Sequence, residues 1–253
     1  KTRLAQFNQT VEPVLPAHLV NVLRDYQIIG VKWLMQLANW GLNACLADDM
    51  GLGKTLQTLS VLQMRSHLGA SLVVAPKSVC HNWQAEAERF APALNIKTIA
   101  NATICEEVLS TASANDLVVV SYGLLPLIGE QLSEFEFSNI VFDEAQAIKN
   151  PLSLRAKAAF ALNGHFKVAL SGTPIENHLG ELWSLFNFLM PGFLHTLPMF
   201  KKRFGNADKN QQQADTLKTL IAPCILRRTK QTVLTELPEK TEINLTFALS
   251  DKE

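Results

Sequence analysis

The sequence predicts an α/β domain, a parallel sheet lying between layers of helix. Three observations carry that expectation. Six short segments are continuously apolar and lack the polar alternation of a half-exposed strand. Helix-like segments fall between most of them, the rhythm of a doubly wound layer. A glycine stretch, "DDMGLGKT" at 48–55, interrupts the chain where the first apolar segment ends and a helical pattern begins.

Taken in order, "LRDYQIIGVKWLMQLANW" (23–40) repeats apolar residues at helical spacing through Leu23, Tyr26, Ile29, Trp33, Leu34 and Leu37, which predicts a leading helix. The expected strands are "NACLA" (43–47), "LVVA" (72–75), "IKTIA" (96–100), "LVVVS" (117–121), "NIVFD" (139–143) and "KVALS" (167–171). Helices are expected over 54–67, 82–90, 103–112 and 152–162, so the layer covers about residues 40–190 and supports one Rossmann-like or RecA-like domain. After Pro191-Gly192 the apolar strands stop. Residues 193–236 read as a helical appendage with a loop at 205–210, and 237–253 as a turn and one further strand leading toward another domain. The chain opens on Lys1 and closes on "ALSDKE" without an evident natural start or stop, the pattern expected of a piece of something longer.

Bulk properties narrow the function. The chain has 253 residues, 47% of them hydrophobic, enough for a sizeable core. Lys plus Arg and Asp plus Glu are both 23, so a nucleic-acid role would rest on a local patch or a partner segment rather than on overall charge. Cys45, Cys80, Cys105 and Cys224 form no C-x-x-C pair and have no histidine at zinc spacing, which points away from a metal site and toward a reducing compartment. Cys45 reads as a small buried hydrophobe. No apolar run nears the roughly 18 residues of a membrane span.

The glycine stretch has the context of a phosphate loop: strand, glycines, then helix. Gly51 and Gly53 can take positive φ and turn backbone N–H groups toward phosphate oxygens. The helix that follows offers its N-terminal dipole to the same anion. Lys54 would reach the β- and γ-phosphates, and the Thr55 hydroxyl would coordinate Mg²⁺. The strict pattern G-x-x-x-x-G-K-[ST] has glycine where this chain has Asp48.

A second half-site lies in "IVFDEAQ". An apolar strand delivers Asp143 and Glu144 at its C-terminal end, where open α/β sheets bind ligands. Asp143 suits a metal held through water, and Glu144 suits orienting and deprotonating an attacking water. "ALSGTPIEN" ends a third strand, with Ser171, Gly172 and Thr173 facing the same crevice. By itself S-G-T-P is an ordinary turn sequence.

In order, "LRDYQIIGVKWL", "DDMGLGKT", "LVVAPKSVCHNW", "VVVSYGLL", "DEAQAIKN", "ALSGTPIENHLGELWSLFNFLMPGFL" and "ILRRTK" resemble the first half of a superfamily 2 helicase-like ATPase of the SWI/SNF chromatin-remodeller type, closest in flavour to bacterial and archaeal members. The resemblance runs from about Leu15 to about Lys240. It implies the N-terminal RecA-like lobe, residues 1–192, of a two-lobed motor that uses ATP and Mg²⁺ to translocate on double-stranded DNA. It implies that Gln27 recognises adenine, with Tyr26 packing nearby. Asp49, Met50, Gly51, Leu52, Gly53, Lys54 and Thr55 would hold the nucleotide, with Thr55 and Asp143 on the metal. Ser171, Gly172 and Thr173 would couple hydrolysis to movement, and Lys77, Asn82, Ser121, Tyr122 and Lys149 would face the DNA backbone. The family usually has Asp-Glu where this chain has Asp48-Asp49, a shorter carboxylate with little expected effect on nucleotide binding. The partners implied are double-stranded DNA, a second RecA-like lobe carrying the arginine fingers, and a cargo protein of unspecified kind. Such fingers are worth about 10³–10⁵ in rate in other phosphoryl-transfer enzymes, so weak hydrolysis is expected of this chain alone. The location implied is the nucleoid in a prokaryote or the nucleus in a eukaryote.

Plainer readings stand beside these. A glutamine in a helical pattern is most often exposed, which would give Gln27 no role. Trp83 and Trp183 read as core or helix-packing residues. "KKRF" (201–204) and "RRTK" (227–230) read either as solvated faces or as phosphate contacts. His178 and His195 have no ligand partners at useful spacing. Two other functions remain open: a DEAD-box-like RNA helicase lobe, disfavoured by "DEAQ", "GVKWL" and the appendage, and a nucleotide-gated binding module without turnover.

Overall fold

The structure, a computed structural model, describes residues 13–172, 179–207 and 210–233. The order of elements is α1 (Ala17–Val20), α2 (Asp25–Asn39), β1 (Ala44–Leu46), α3 (Lys54–Met64), β2 (Ser71–Ala75), α4 (Lys77–Phe90), β3 (Asn95–Ile99), α5 (Cys105–Ser110), β4 (Asp116–Ser121), α6 (Leu125–Glu134), β5 (Glu136–Phe142), α7 (Leu154–Ala161), β6 (Asn163–Leu170), α8 (Leu179–Leu189), α9 (Leu197–Phe204), α10 (Gln211–Ile221), β7 (Ile225–Leu226) and α11 (Lys230–Val233). The seven strands form one sheet in the order β3-β4-β2-β5-β6-β1-β7. Every pairing is parallel.

Residues 72–75 of β2 and 117–120 of β4 are apolar because both faces are covered. Leu72 and Val74 of β2, with Val118 and Val120 of β4, enter one core shared with α5, α6, α7 and α8. Val73 and Ala75, with Leu117 and Val119, enter another shared with α2, α3 and α4. A third, smaller core joins Leu182 and Phe186 of α8 to Phe200, Phe204, Leu217 and Cys224, and so seats α9 and α10 beside the sheet. All four cysteines are free thiols. Burial pushes the Cys45 thiol up to about 12, as befits a core hydrophobe. No helix among the described residues is long and apolar enough to cross a membrane.

Four expectations are corrected. The appendage is not wholly helical: Ile225–Leu226 pairs with β1 and extends the sheet, through a strand too short to leave a periodic signal. Helix α4 begins at Lys77 rather than residue 82, directly after Pro76; its first turn exposes Lys77 and Ser78 and only half-buries Val79 and Cys80, which leaves a weak period. Helix α6 was not expected at all; Pro126 and Gly129 break its pattern, yet Gly129 lets the helix approach Ala158 of α7. In α2 the inward stripe is Gln27, Gly30, Val31, Leu34 and Leu37, whereas Ile29 is 62% exposed. The stripe is rotated because two of its positions serve the glycine loop instead of the apolar core. The strand expected within 237–253 lies outside the described residues.

Phe142 ends β5 fully buried, 4.2 Å from the Phe188 ring and edge-on to Tyr122. Phe142→Ala is expected to lower unfolding stability by about 3–5 kcal/mol. Urea denaturation measures this, and a loss under about 1 kcal/mol would contradict the packing described.

Candidate active site

Register builds the site. Leu46 pairs with Leu170 and Leu226, Phe142 with Ala169, Val74 with Phe142, and Ala75 with Ser121. The strands therefore end nearly level, and the next residues of each chain segment emerge at one edge. These are Ala47-Asp48 after β1, Pro76-Lys77 after β2, Tyr122 after β4, Asp143-Glu144 after β5, Ser171-Gly172 after β6 and Arg227-Arg228 after β7. Ser171 N–H donates to Leu46 O at 3.2 Å, which joins the third strand end directly to the first.

The glycine loop has the backbone it was expected to need. Gly51 and Gly53 have φ of 83° and 73°, the left-handed region, and Gly53 leads into α3. Lys54 Nζ donates to the carbonyls of Asp48 at 2.7 Å and Asp49 at 3.3 Å, folding back over the loop. Burial lowers its pKa, opposed by the nearby carboxylates of Glu144, Asp48, Asp143 and Asp49. Leu52 is buried, and its carbonyl accepts from Gln27 Nε2 at 3.1 Å and from the Tyr26 hydroxyl at 3.2 Å. Gln27 is therefore not an exposed helix glutamine. It is buried, accepts from Arg24 N–H at 2.9 Å and braces the loop. Met50 is exposed on the loop, and Gly172 lies so close to its side chain that a Cβ there would meet Met50 Cγ at 2.8 Å.

The carboxylates differ in environment. Asp143 is buried; its Oδ2 accepts from Trp83 Nε1 at 2.8 Å and its Oδ1 from Glu144 N–H at 2.9 Å. Burial raises the Asp143 pKa from its ordinary value; Glu144 adds to this, while the bonds from Trp83 and the Glu144 N–H and the charge of Lys54 oppose it. Glu144 has φ 49°, a left-handed conformation unusual for a residue with a side chain. Its Oε2 accepts from Gln146 Nε2 at 2.7 Å, and Gln146 Oε1 lies 3.5 Å from Ser171 Oγ. A short chain of polar side chains thus runs from the second strand end to the third.

Asp143 and the Thr55 hydroxyl are oxygen donors only, the type that Mg²⁺ prefers. Among the described residues no group of three or more His, Cys, Asp or Glu side chains could cage a metal. Mg²⁺ held by one carboxylate plus substrate phosphates needs no such cage, so these residues fit it.

Of the residues expected to face DNA, Lys77, Asn82 and Lys149 are exposed and Ser121 is half-buried. Lys149 pairs with Glu181 at 3.3 Å. Tyr122 is 4% exposed, and its hydroxyl donates to the Asp143 carbonyl at 2.8 Å, which holds the acidic strand end. Trp83, expected only to pack, also grips Asp143. Arg228, expected to be a solvated or phosphate-contacting residue, is tied to Asp48. Trp183 donates to His195 O at 3.0 Å, a packing role as expected. Thr173 and His178 lie outside the described residues. Sequence offered one signal for Arg228: an acid in place of the loop's first glycine needs a cation, although nothing in the spacing says which.

This sheet, loop and acid pair define a RecA-like P-loop nucleotide-binding lobe. More narrowly, the chain belongs to the SNF2-related domain family, whose sequence profile matches residues 26–253. It is 39% identical over 246 residues to the ISWI chromatin-remodeling complex ATPase CHR17 of Arabidopsis thaliana, covering 93% of this chain and 23% of that protein. It is 38% identical over 250 residues to an uncharacterized ATP-dependent helicase of Mycoplasma pneumoniae, covering 97% of this chain and 24% of that one. The SWI2/SNF2 ATPase core of Sulfolobus solfataricus in complex with dsDNA superposes with a TM-score of 0.76 at 40% identity, over 85% of this chain and 47% of that one.

The Trp83–Asp143 bond gives a stability prediction. Trp83→Phe removes the donor from a buried carboxylate oxygen and is expected to cost about 1–3 kcal/mol near neutral pH. The lost bond raises the folded-state pKa further, so the ionised carboxylate is penalised as pH rises and the penalty fades as it protonates. Urea unfolding near neutrality and near pH ~4 tests this; an equal or larger cost in acid would contradict it.

Proposed function

We propose that this chain is the ATP-binding first lobe of an ATP-driven translocase acting on double-stranded DNA. The observation that carries the reading is the convergence of the glycine loop, Asp143-Glu144 and Ser171-Gly172 at one sheet edge, with Ser171 N–H bonded to Leu46 O. Lys54 leaves its carbonyl acceptors to bind the β- and γ-phosphates. Gln27 reads the adenine from its place against Leu52 O, and Asp49 to Gly53 wrap the phosphates. Thr55 and Asp143 would hold Mg²⁺, which would offset charge on the phosphate oxygens. Glu144 orients the attacking water and takes its proton. Gln146 carries the state of Glu144 to Ser171, and Ser171 to Thr173 pass it toward DNA held along Lys77, Asn82, Ser121 and Lys149.

The relatives named above are about four times as long as the matched region. A second lobe supplying arginine fingers and the rest of the groove fits that length, and in its absence this chain hydrolyses ATP slowly. The solved core named for its complex with dsDNA supports duplex DNA as the track. The location that fits is wherever such DNA lies, nucleoid or nucleus.

Steady-state ATP hydrolysis by the intact protein, with duplex DNA, single-stranded DNA and RNA compared, tests the proposal. Duplex DNA is expected to stimulate most, and Glu144→Gln to reduce turnover by about 10²–10⁴-fold. Stimulation chiefly by RNA would move the protein to the RNA-helicase class; no turnover with any of them would make the lobe a nucleotide-gated binding module.

A further inference from the structure

Asp48 poses a problem for an anion site. It opens the glycine loop, is wholly buried, and carries a negative charge into the place where polyphosphate would bind. Arg228 answers it. The Arg228 backbone N–H and Nε each donate to Asp48 Oδ1 at 3.0 Å, and Nη2 pairs with Oδ2. The same guanidinium donates to Gln57 Oε1 of α3 at 2.7 Å and to the Tyr26 carbonyl of α2, and it lies over the Tyr26 ring. Gln57 Nε2 in turn reaches Asp48 Oδ2 at 3.4 Å and Gly53 O at 3.3 Å. Room for this fork comes from Gly30, where a Cβ would stand 2.9 Å from Nη2. The backbone repeats the attachment: Ala47 N–H donates to Leu226 O at 2.7 Å, Asp49 N–H to Arg228 O at 3.0 Å, and Lys230 N–H to Asp49 Oδ2 at 3.0 Å.

We infer that Arg228 is a positioning residue of the nucleotide site: by sequestering the Asp48 carboxylate it keeps Lys54 available for phosphate. The inference rests on the ATP-binding reading of the loop. Lys54 Nζ binds the Asp48 carbonyl rather than its carboxylate, because the carboxylate is already held by the guanidinium. Without Arg228 that carboxylate would face both Lys54 and the incoming phosphates, capturing the first and repelling the second. Segment 225–230, which follows the helical region, is thereby part of the nucleotide site and not an accessory to it.

The test is equilibrium binding of a fluorescent, non-hydrolysable ATP analogue and of AMP to the intact protein, with folding checked by circular dichroism. Arg228→Gln is expected to weaken the ATP analogue on the order of tenfold or more and AMP much less, since the repulsion scales with ligand charge. Adding Asp48→Asn to Arg228→Gln removes the uncompensated charge and is expected to restore most of the affinity. A purely structural role would leave the double variant no better than the single one, and that result would overturn the inference. So would wild-type affinity in Arg228→Gln. Should Arg228→Gln not fold, Arg228→Lys keeps the charge and is expected to bind the ATP analogue within a few-fold of wild type; a loss of tenfold or more there would overturn the inference. Failure of the wild-type protein to bind the analogue would instead refute the ATP-binding reading itself.

Discussion

Parallel register is the constraint on which the rest of this structure depends. Val141, Val168 and Ala44 share one level across three strands, and Phe142, Ala169, Cys45 and Ile225 share the next. Side chains alternate along a strand, so a slip of one residue would turn every core residue of a strand to the opposite face. The same slip would carry Asp143 or Ser171 away from the loop that begins at Ala47. Core packing and site assembly are thus set by a single choice. The Phe142 side chain, which meets Phe188 and Tyr122, helps to fix it.

Around that edge, the polar side chains that orient the site come from distant parts of the chain. Asp143 is held by Trp83 from α4 and Tyr122 from the end of β4. Trp83 lies on the same helix as Lys77 and Asn82, which are exposed on the surface expected to meet DNA. The glycine loop is held by Gln27 and Tyr26 from α2 and by Arg228 from the connection between β7 and α11. Each holder grips the site from inside the protein and leaves a different surface to partners.

The sheet was legible in the sequence because burial on both faces leaves uninterrupted apolar runs, as in Leu117 to Val120. The loop was legible because only glycine accommodates the φ of Gly51 and Gly53 without strain. Other features left little local trace. Strand β7 is two residues long, and α6 carries Pro126 and Gly129 within its pattern. The partners of Asp48 and Asp143 lie 180 and 60 residues away, so no periodicity or short motif could name them. Gln27 looked ordinary for the same reason: its burial depends on Leu52, a residue that α2 meets only after β1 has crossed the sheet.

Hydrogen–deuterium exchange of the intact protein, with and without a non-hydrolysable ATP analogue, tests the central claim most directly. If the nucleotide site spans the sheet edge as described, the analogue slows exchange in the peptide covering 46–58 and, together with it, in the peptides covering 143–148 and 225–230. Protection confined to 46–58, with 225–230 exchanging as in the free protein, would contradict the account.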